Sequence, residues 1–415
     1  MKICLDVKCT GCAACVNACK RRCISMREDE LGALHPIVDE NKCIQCGLCS
    51  KVCPNNLELA FHYPKTCYAS WIKDSEKRKI CASGGIGTIL SEYVLGIGGV
   101  VFGSRYNDSL VPIMTYTESV LDLDYFKGSR YVQSIVGNET FQKVKAFLND
   151  GRMVLFVGTP CQVAGLMGFL RKEYENLITV DLICHGVSPT KYLVEEVGWL
   201  SQKYHTKGIK DIRFRGNDGN NYRLTLWNKD SRKLFPGTNY REKILRLSES
   251  QQYYITGFLK GITMRENCYT CNYARPERIS DITIGDFIGL GREVPFSYPT
   301  NNVSSVLINT PKGEDFYKKV SEAQYDLVNV ERNYEERLKY RPSLMEPFKR
   351  HKLNYKFVKL YKKHGYLKAI HLTLWSVMLV KQMKVYLHVW TYIYRIPRKV
   401  YRLLIQSHET RFSNR

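Results

Sequence analysis

The sequence predicts a small α+β cysteine module, an α/β core behind it and a basic helical C-terminal extension. Three observations carry this reading. Eight of the ten cysteines in the first 53 residues form two copies of one spacing, Val/Ile-rich runs alternate with amphipathic stretches from Cys67 onward, and twenty Lys/Arg stand against five Asp/Glu between Glu331 and Arg415. At 415 residues the chain exceeds what a single hydrophobic core usually serves. The expected units span 1–60, 67–330 and 331–415, with Leu57 to Lys65 as a connector.

The module comes first. Its runs are Cys9, Cys12, Cys15, Cys19 and Cys43, Cys46, Cys49, Cys53, the second followed by Pro54. This C-x2-C-x2-C-x3-C spacing is the ligand pattern of two-cluster bacterial ferredoxins. A C-x2-C-x2-C turn wraps three corners of a [4Fe-4S] cube and leaves the fourth to the other run. Cys9, Cys12 and Cys15 are therefore expected to share one cluster with Cys53, and Cys43, Cys46 and Cys49 the other with Cys19. Zinc sites pair C-x2-C across longer loops and have no need of a third cysteine in register. Lys20 stands where the pattern usually repeats the proline, which changes charge near one cluster without removing a ligand. Electron transfer is the implied chemistry.

The formal charge of +22 counts every thiol as neutral, and each thiolate-held cube contributes about two negative charges. The excess is local, since the segment from Glu331 holds a net +15. No apolar signal segment precedes the first ligands, so a reducing, cytoplasmic location is expected.

Strands in the core are read from apolar runs. Met153 to Val157 precedes Gly158-Thr159-Pro160-Cys161 and a helical stretch from Gln162 to Arg171; Leu177 to Ile183 precedes Cys184-His185-Gly186; Ile282 to Gly285 precedes Asp286. Such runs with intervening helices read as buried parallel strands, and open α/β sheets bind ligands beyond the strands' carboxyl ends. Cys268-x2-Cys271 could join Cys161 and Cys184 as a four-thiolate set. A third iron-sulfur cluster is the preferred reading; a structural zinc site or metal-free buried thiols are the alternatives. Cys4, Cys23, Cys67 and Cys81 lack partner spacing and read as ordinary thiols.

Several core segments resemble the coenzyme F420 hydrogenase/dehydrogenase beta-subunit family. They are Ser83-Gly84-Gly85, Gly98 to Gly103, Gly128-Ser129-Arg130-Tyr131-Val132-Gln133-Ser134, Gly158 to Gln162, Asp181 to Gly186, and Cys268-x2-Cys271 leading to Ser280 to Phe287. The resemblance implies an FAD-binding core with a [4Fe-4S] cluster beside the flavin, and hydride exchange with F420 or another organic substrate. It also implies the third set of ligands proposed from spacing. Arg130 stands where lysine is common, Ile288 where tryptophan is frequent, and Arg265-Glu266-Asn267 where Arg-Pro-Ser usually precedes the cysteine. Relatives without F420 include proteins encoded near surface-polysaccharide enzymes, so a link to that metabolism is a further expectation. The competing expectation is an electron-transfer subunit with no substrate chemistry of its own.

A flavin converts between hydride chemistry and one-electron clusters. Ser83, Gly84 and Gly85 before a helix suit its phosphates, because glycine allows close approach and first-turn N–H groups attract anions; a simple turn is the plain alternative. Ser129, Arg130 and Tyr131 could supply a hydroxyl, a guanidinium and a stacking ring, or form only a polar loop. Thr159 could donate to a cluster sulfur or a flavin oxygen. The catalytic candidates are His185, as a proton relay, and Asp286, which could equally cap a turn.

In the extension, aromatics lie between the charges of Lys349 to Lys363, and the longest uncharged run, Ala369 to Val380, is too short to cross a bilayer. Lys381, Lys384, His388, Thr391 and Arg395 step by three and four and line one helical face. A peripheral contact of residues 345–415 with anionic lipid is expected, against packing on the core or on a redox partner; nucleic acid is not expected, as no such motif accompanies the charge.

Overall fold

The computed structural model describes residues 2–206, 208–215, 222–228, 243–246, 251–340 and 342–412. In the cysteine module, helices α1 (Ala14–Ala18) and α2 (Leu48–Lys51) flank an antiparallel hairpin of β1 (Ile24–Glu28) and β2 (Leu34–Val38). The runs repeat with a 34-residue offset in backbone as well as in sequence. Gly11 (φ 68) and Ala13 (φ 58) in the first match Gln45 (φ 53) and Gly47 (φ 71) in the second. Left-handed residues between the cysteines coil each loop tightly, which lets three thiols and several N–H groups converge.

Strands β3 (Thr66–Ile72), β4 (Val100–Tyr106), β5 (Pro112–Thr117), β6 (Ile135–Val136), β7 (Val154–Gly158) and β8 (Leu177–Leu182) come next. After a three-stranded sheet of β9 (Ile209–Arg213), β10 (Thr225–Asn228) and β11 (Lys243–Arg246) follow β12 (Ile282–Asp286), β13 (Ser304–Ile308) and β14 (Leu327–Arg332). The main sheet runs β14-β3-β13-β12-β8-β7-β4-β5-β6. Only its centre, β12-β8-β7-β4, is a run of parallel pairs; β13, β3 and β14 continue it antiparallel on one side and β5 on the other. The expectation of a parallel sheet thus holds for the strands that end in Cys161, Cys184 and Asp286. It fails outside them because buried antiparallel strands share the same Val/Ile-rich composition.

Helices α3 (Ser75–Lys79), α4 (Ile86–Gly96), α5 (Thr140–Asn149), α6 (Pro160–Leu170), α7 (Thr190–Lys203), α8 (Tyr253–Leu259), α9 (Pro311–Ala323), α10 (Tyr334–Leu338) and α11 (Leu353–Phe412) complete the chain. Side chains of α4 and α9 fill one core with the sheet, while α5 and α6 fill another with the cysteine module. The module seats on α6 at two glycines. A Cβ on Gly165 would lie 2.8 Å from Cys12 Cβ, and one on Gly168 would lie 2.4 Å from the Val52 carbonyl oxygen.

The stretch expected as extension from residue 331 starts within the core: β14 pairs with β3, and Tyr334 and Leu344 pack with Cys67 and Trp71. Helix α11 breaks at Gly365 (φ 74, ψ 179) and buries Phe357, Tyr361, Tyr366, Ile370, Leu374 and Met378 against α7 and α8. Side chains from position 384 onward, including Lys384, His388, Thr391 and Arg395, lie outside the described residues.

Candidate functional site

The two runs bring their cysteines together across the pseudo-twofold axis. Cys9, Cys12, Cys15 and Cys53 line one void. Cys49 lies within electrostatic reach of Cys19 and Cys43, and Cys46 is exposed. No cysteine forms a disulfide. Burial pushes the Cys12 thiol up to about 12, while the hydrogen bond with Cys4 pulls Cys9 down to about 4 and Cys53 to about 7; iron would bind all of them as thiolates. The donor set is all sulfur, the set a [4Fe-4S] cube takes.

Two cysteines read as ordinary thiols are not. Cys23 Sγ lies 3.3 Å from Cys19 Sγ, and Cys4 is hydrogen-bonded to Cys53 and Cys9. Each ligand set therefore has one extra thiol beside it. No regular spacing marks them, which is why the sequence conceals them.

Cys161 occupies the first turn of α6, Cys184 follows β8, and Cys268 and Cys271 sit on and just after the 3-10 turn Glu266–Thr270. Their thiols interact: Cys161 feels Cys184 and Cys271, and Cys268 feels Cys271 and Cys161. Burial raises all four, Cys184 and Cys268 to about 12. Cys161 also lies within reach of Cys12 of the first run. Thr159 Oγ1 is 3.2 Å from Cys161 Sγ, and its capping box with Gln162 fixes the start of α6. Among the described residues no His/Cys/Asp/Glu group is set to hold a single metal ion. A cube differs from such an ion in carrying its own iron and sulfide between the thiolates, so its ligands stand further apart.

Beyond the carboxyl ends of β4, β7, β8 and β12 lies a cavity of about 620 Å³, a size suited to a cofactor. Ser83, Gly85, Ser129, Arg130, Tyr131, Thr159, Cys184, His185 and Asp286 all line it. The first turn of α4, through Ile86, Gly87 and Thr88, opens on it as well and offers N–H groups to an anion.

Gly84 does not line the cavity. Its N–H is taken by Ser304 Oγ, and a Cβ would lie 2.2 Å from the Ser70 carbonyl oxygen, so its bareness serves strand packing. Ser83 donates to the Val303 carbonyl. Arg130 lies half-buried over the Tyr106 ring and donates to the carbonyls of Lys127 and Tyr125, so most of its guanidinium faces protein. Tyr131 lines the cavity with its ring near-parallel to those of Phe258 (5.2 Å) and Tyr222 (6.0 Å).

His185 packs edge-on against Phe348 at 4.3 Å, with Nε2 3.3 Å from the Phe258 carbonyl oxygen. Asp286 makes a bidentate pair with Arg215 (2.8 and 3.0 Å) and accepts from Tyr222. Burial alone would raise its pKa, but the Arg215 charge and these hydrogen bonds hold it at about 2. Asp286 is thus a fixed carboxylate near neutrality, better suited to orienting than to proton exchange. Arg215 and Tyr222 were not legible, since neither belongs to a motif.

The module is fastened by Arg265. Its guanidinium donates to the carbonyls of Cys9 and Leu34 at 3.1 Å each, to Gln133 Oε1 at 2.7 Å and to Asn267 Oδ1 at 3.1 Å, joining the first run to the Cys268 loop.

Residues 8–57 match the family model described as 4Fe-4S dicluster domain. Residues 151–332 match the model for the C terminus of the coenzyme F420 hydrogenase/dehydrogenase beta subunit. With the thiol sets above, these define an iron-sulfur electron-transfer oxidoreductase. More particularly, the chain joins a segment that matches the 4Fe-4S dicluster domain to one that matches the C terminus of the coenzyme F420 hydrogenase/dehydrogenase beta subunit. Among solved structures it is similar to a chain of the F420-reducing [NiFe] hydrogenase complex from Methanosarcina barkeri, a xenon derivative, at 16% identity and a TM-score of 0.43. That match covers 75% of this chain and 93% of the other. No curated protein matches.

Proposed function

We propose that this protein exchanges hydride with F420 or another organic substrate at an FAD in the 620 Å³ cavity. Cys161, Cys184, Cys268 and Cys271 would hold a third [4Fe-4S] cluster, Cys9, Cys12, Cys15 and Cys53 the next and Cys19, Cys43, Cys46 and Cys49 the outermost, and these clusters would supply one-electron transfer from the cavity toward the surface. One observation carries this reading: Cys184 lines the cavity on one side of the inner thiol set, and Cys161 faces Cys12 on the other. Bound FAD would supply the exchange between two-electron and one-electron chemistry. For their part, the chain's residues present first-turn amides of α4 for an anionic group, hold the Asp286 carboxylate against Arg215, and steady Cys161 through Thr159. Exposed Cys46 puts the outermost set where a redox partner can reach it.

Anaerobic protein loaded with iron, sulfide and FAD tests this when mixed with F420H2, NAD(P)H, reduced ferredoxin or nucleotide sugars. One of these donors bleaches the flavin and then the cluster band. If none does while reduced ferredoxin still exchanges with the clusters, the protein is an electron carrier without substrate chemistry.

We also propose that α11 rests on an anionic membrane surface. No helix among the described residues is long and apolar enough to cross a membrane. Leu372, Trp375, Leu379 and Met383 are exposed along one outward stripe that Lys368 continues, on a helix with twelve Lys/Arg and one Glu. Apolar contact flanked by cations is the make-up of an interfacial helix.

A further inference from the structure

We propose a second binding site, for a planar aromatic redox carrier of the quinone or flavin type, in the seam between the cysteine module and the sheet. This rests on the proposed electron path, whose outermost set includes Cys19. A cavity of about 420 Å³ opens there with Cys19 in its wall. Its floor is apolar: Val16, Ile24, Phe102 and Met114 are all buried, and Tyr116 stands at 5.3 Å from Phe102. Phe102 and Met114 also wall the larger cavity, so the two spaces share a partition.

Two features distinguish this space from a packing defect. It is open to solvent across the Arg22–Glu139 pair (3.1 Å), which bridges module and core at the rim. Cations also stand at its edge, with Lys143 over the Tyr116 ring at 5.2 Å and Arg22 opposite. An apolar slot suits an aromatic ring system, and cations favour the electron-rich form that the ring acquires on reduction. The carrier takes up two electrons, one at a time, across Cys19, and two protons from water, to give its hydroquinone. Those electrons are the pair released by the hydride donor at the larger cavity, whose remaining proton goes to solvent.

The test uses the full chain loaded with clusters and saturated with FAD, and menadione as the probe. Calorimetry on the oxidised protein should show one menadione bound per chain. Stopped-flow mixing of protein reduced with titanium(III) citrate should show menadione reoxidising the clusters. Tyr116→Ala, which strips a ring from the slot's wall without touching a ligand or the larger cavity, should lower affinity and reoxidation rate at least tenfold. Lys143→Glu should lower them about threefold or more, and ferricyanide reoxidation should stay unchanged in both. The proposal is overturned if FAD-saturated protein binds no menadione, or if either variant, with full iron content, behaves as wild type. Absence of cluster EPR signals in the wild type would overturn the electron path and the site together, which separates that failure from failure of the site alone.

Discussion

Replacing Gly165 by alanine sets two opposing effects against each other. Alanine in a helix interior is favoured over glycine by about 1 kcal/mol, so an exposed α6 would gain stability. Here the new carbon would lie 2.8 Å from Cys12 Cβ and 2.9 Å from Cys12 Sγ, against about 3.5–4.0 Å for an ordinary carbon contact. Helix and ligand loop must part by roughly 1 Å, an overpacking that costs about 1–3 kcal/mol in a filled core. Neither side gives easily, because Cys12 is fixed by its set and α6 is pinned by its capping box and by Gly168 against Val52. A net loss of up to about 2 kcal/mol is expected, concentrated at the seat of the module. Anaerobic urea titration followed at the cluster absorbance reads it directly, together with a weakened magnetic interaction, in the reduced protein, between the cluster at Cys12 and the one proposed at Cys161. A urea midpoint for the Gly165→Ala protein above that of wild type, with the interaction intact, would refute the idea that α6 carries the contact between Cys12 and Cys161.

Further outcomes follow from other buried groups. Glu196 on α7 is buried beside the Tyr366 hydroxyl, and burial raises its pKa from 4.5 to about 7. The folded protein keeps a proton that the unfolded chain releases, so stability should fall as pH rises from about 4.5 to about 7, by up to about 3 kcal/mol. Glu196→Gln should recover that amount at pH 8 and almost nothing at pH 4.5, as measured by urea midpoints; equal gains at both pH values would contradict it. Arg265→Met should cost about 2–4 kcal/mol, since it leaves the Cys9 and Leu34 carbonyls short of a donor, and should release iron from the Cys9 set before the others. Trp375→Glu with Leu379→Glu should abolish salt-sensitive sedimentation with phosphatidylserine vesicles while leaving the visible spectrum unchanged. Retained binding in that variant would remove α11 as the contact.

How much was legible depended on whether a feature is written in spacing. The eight N-terminal cysteines repeat with an offset that the backbone also obeys, and β7, β8 and β12 begin and end within a residue or two of the apolar runs that announced them. Burial composition did not reveal strand direction, so β13, β14, β5 and β6 run against the central strands, and β3, though aligned with them, pairs antiparallel with both its neighbours. Cys4 and Cys23 stood outside any repeat, yet the fold sets them against ligand sulfurs. Tyr131 lay in a motif, but its ring neighbours Phe258 and Tyr222 lie far along the chain from it. Arg265 and Gln133 appeared within motif-like stretches, and only the packing of the module on the core shows that they bind each other. Local pattern specifies ligands and strands; contacts between distant segments decide which side chains remain available to a ligand.

The central claim is a continuous line of redox centres from the large cavity to the surface. Iron and flavin quantitation on anaerobically reconstituted protein tests it most directly. Three cubes and one FAD require about twelve irons, twelve sulfides and one flavin per chain, with the Cys161→Ser protein falling to about eight irons. Eight irons and no flavin in the wild type would contradict the account.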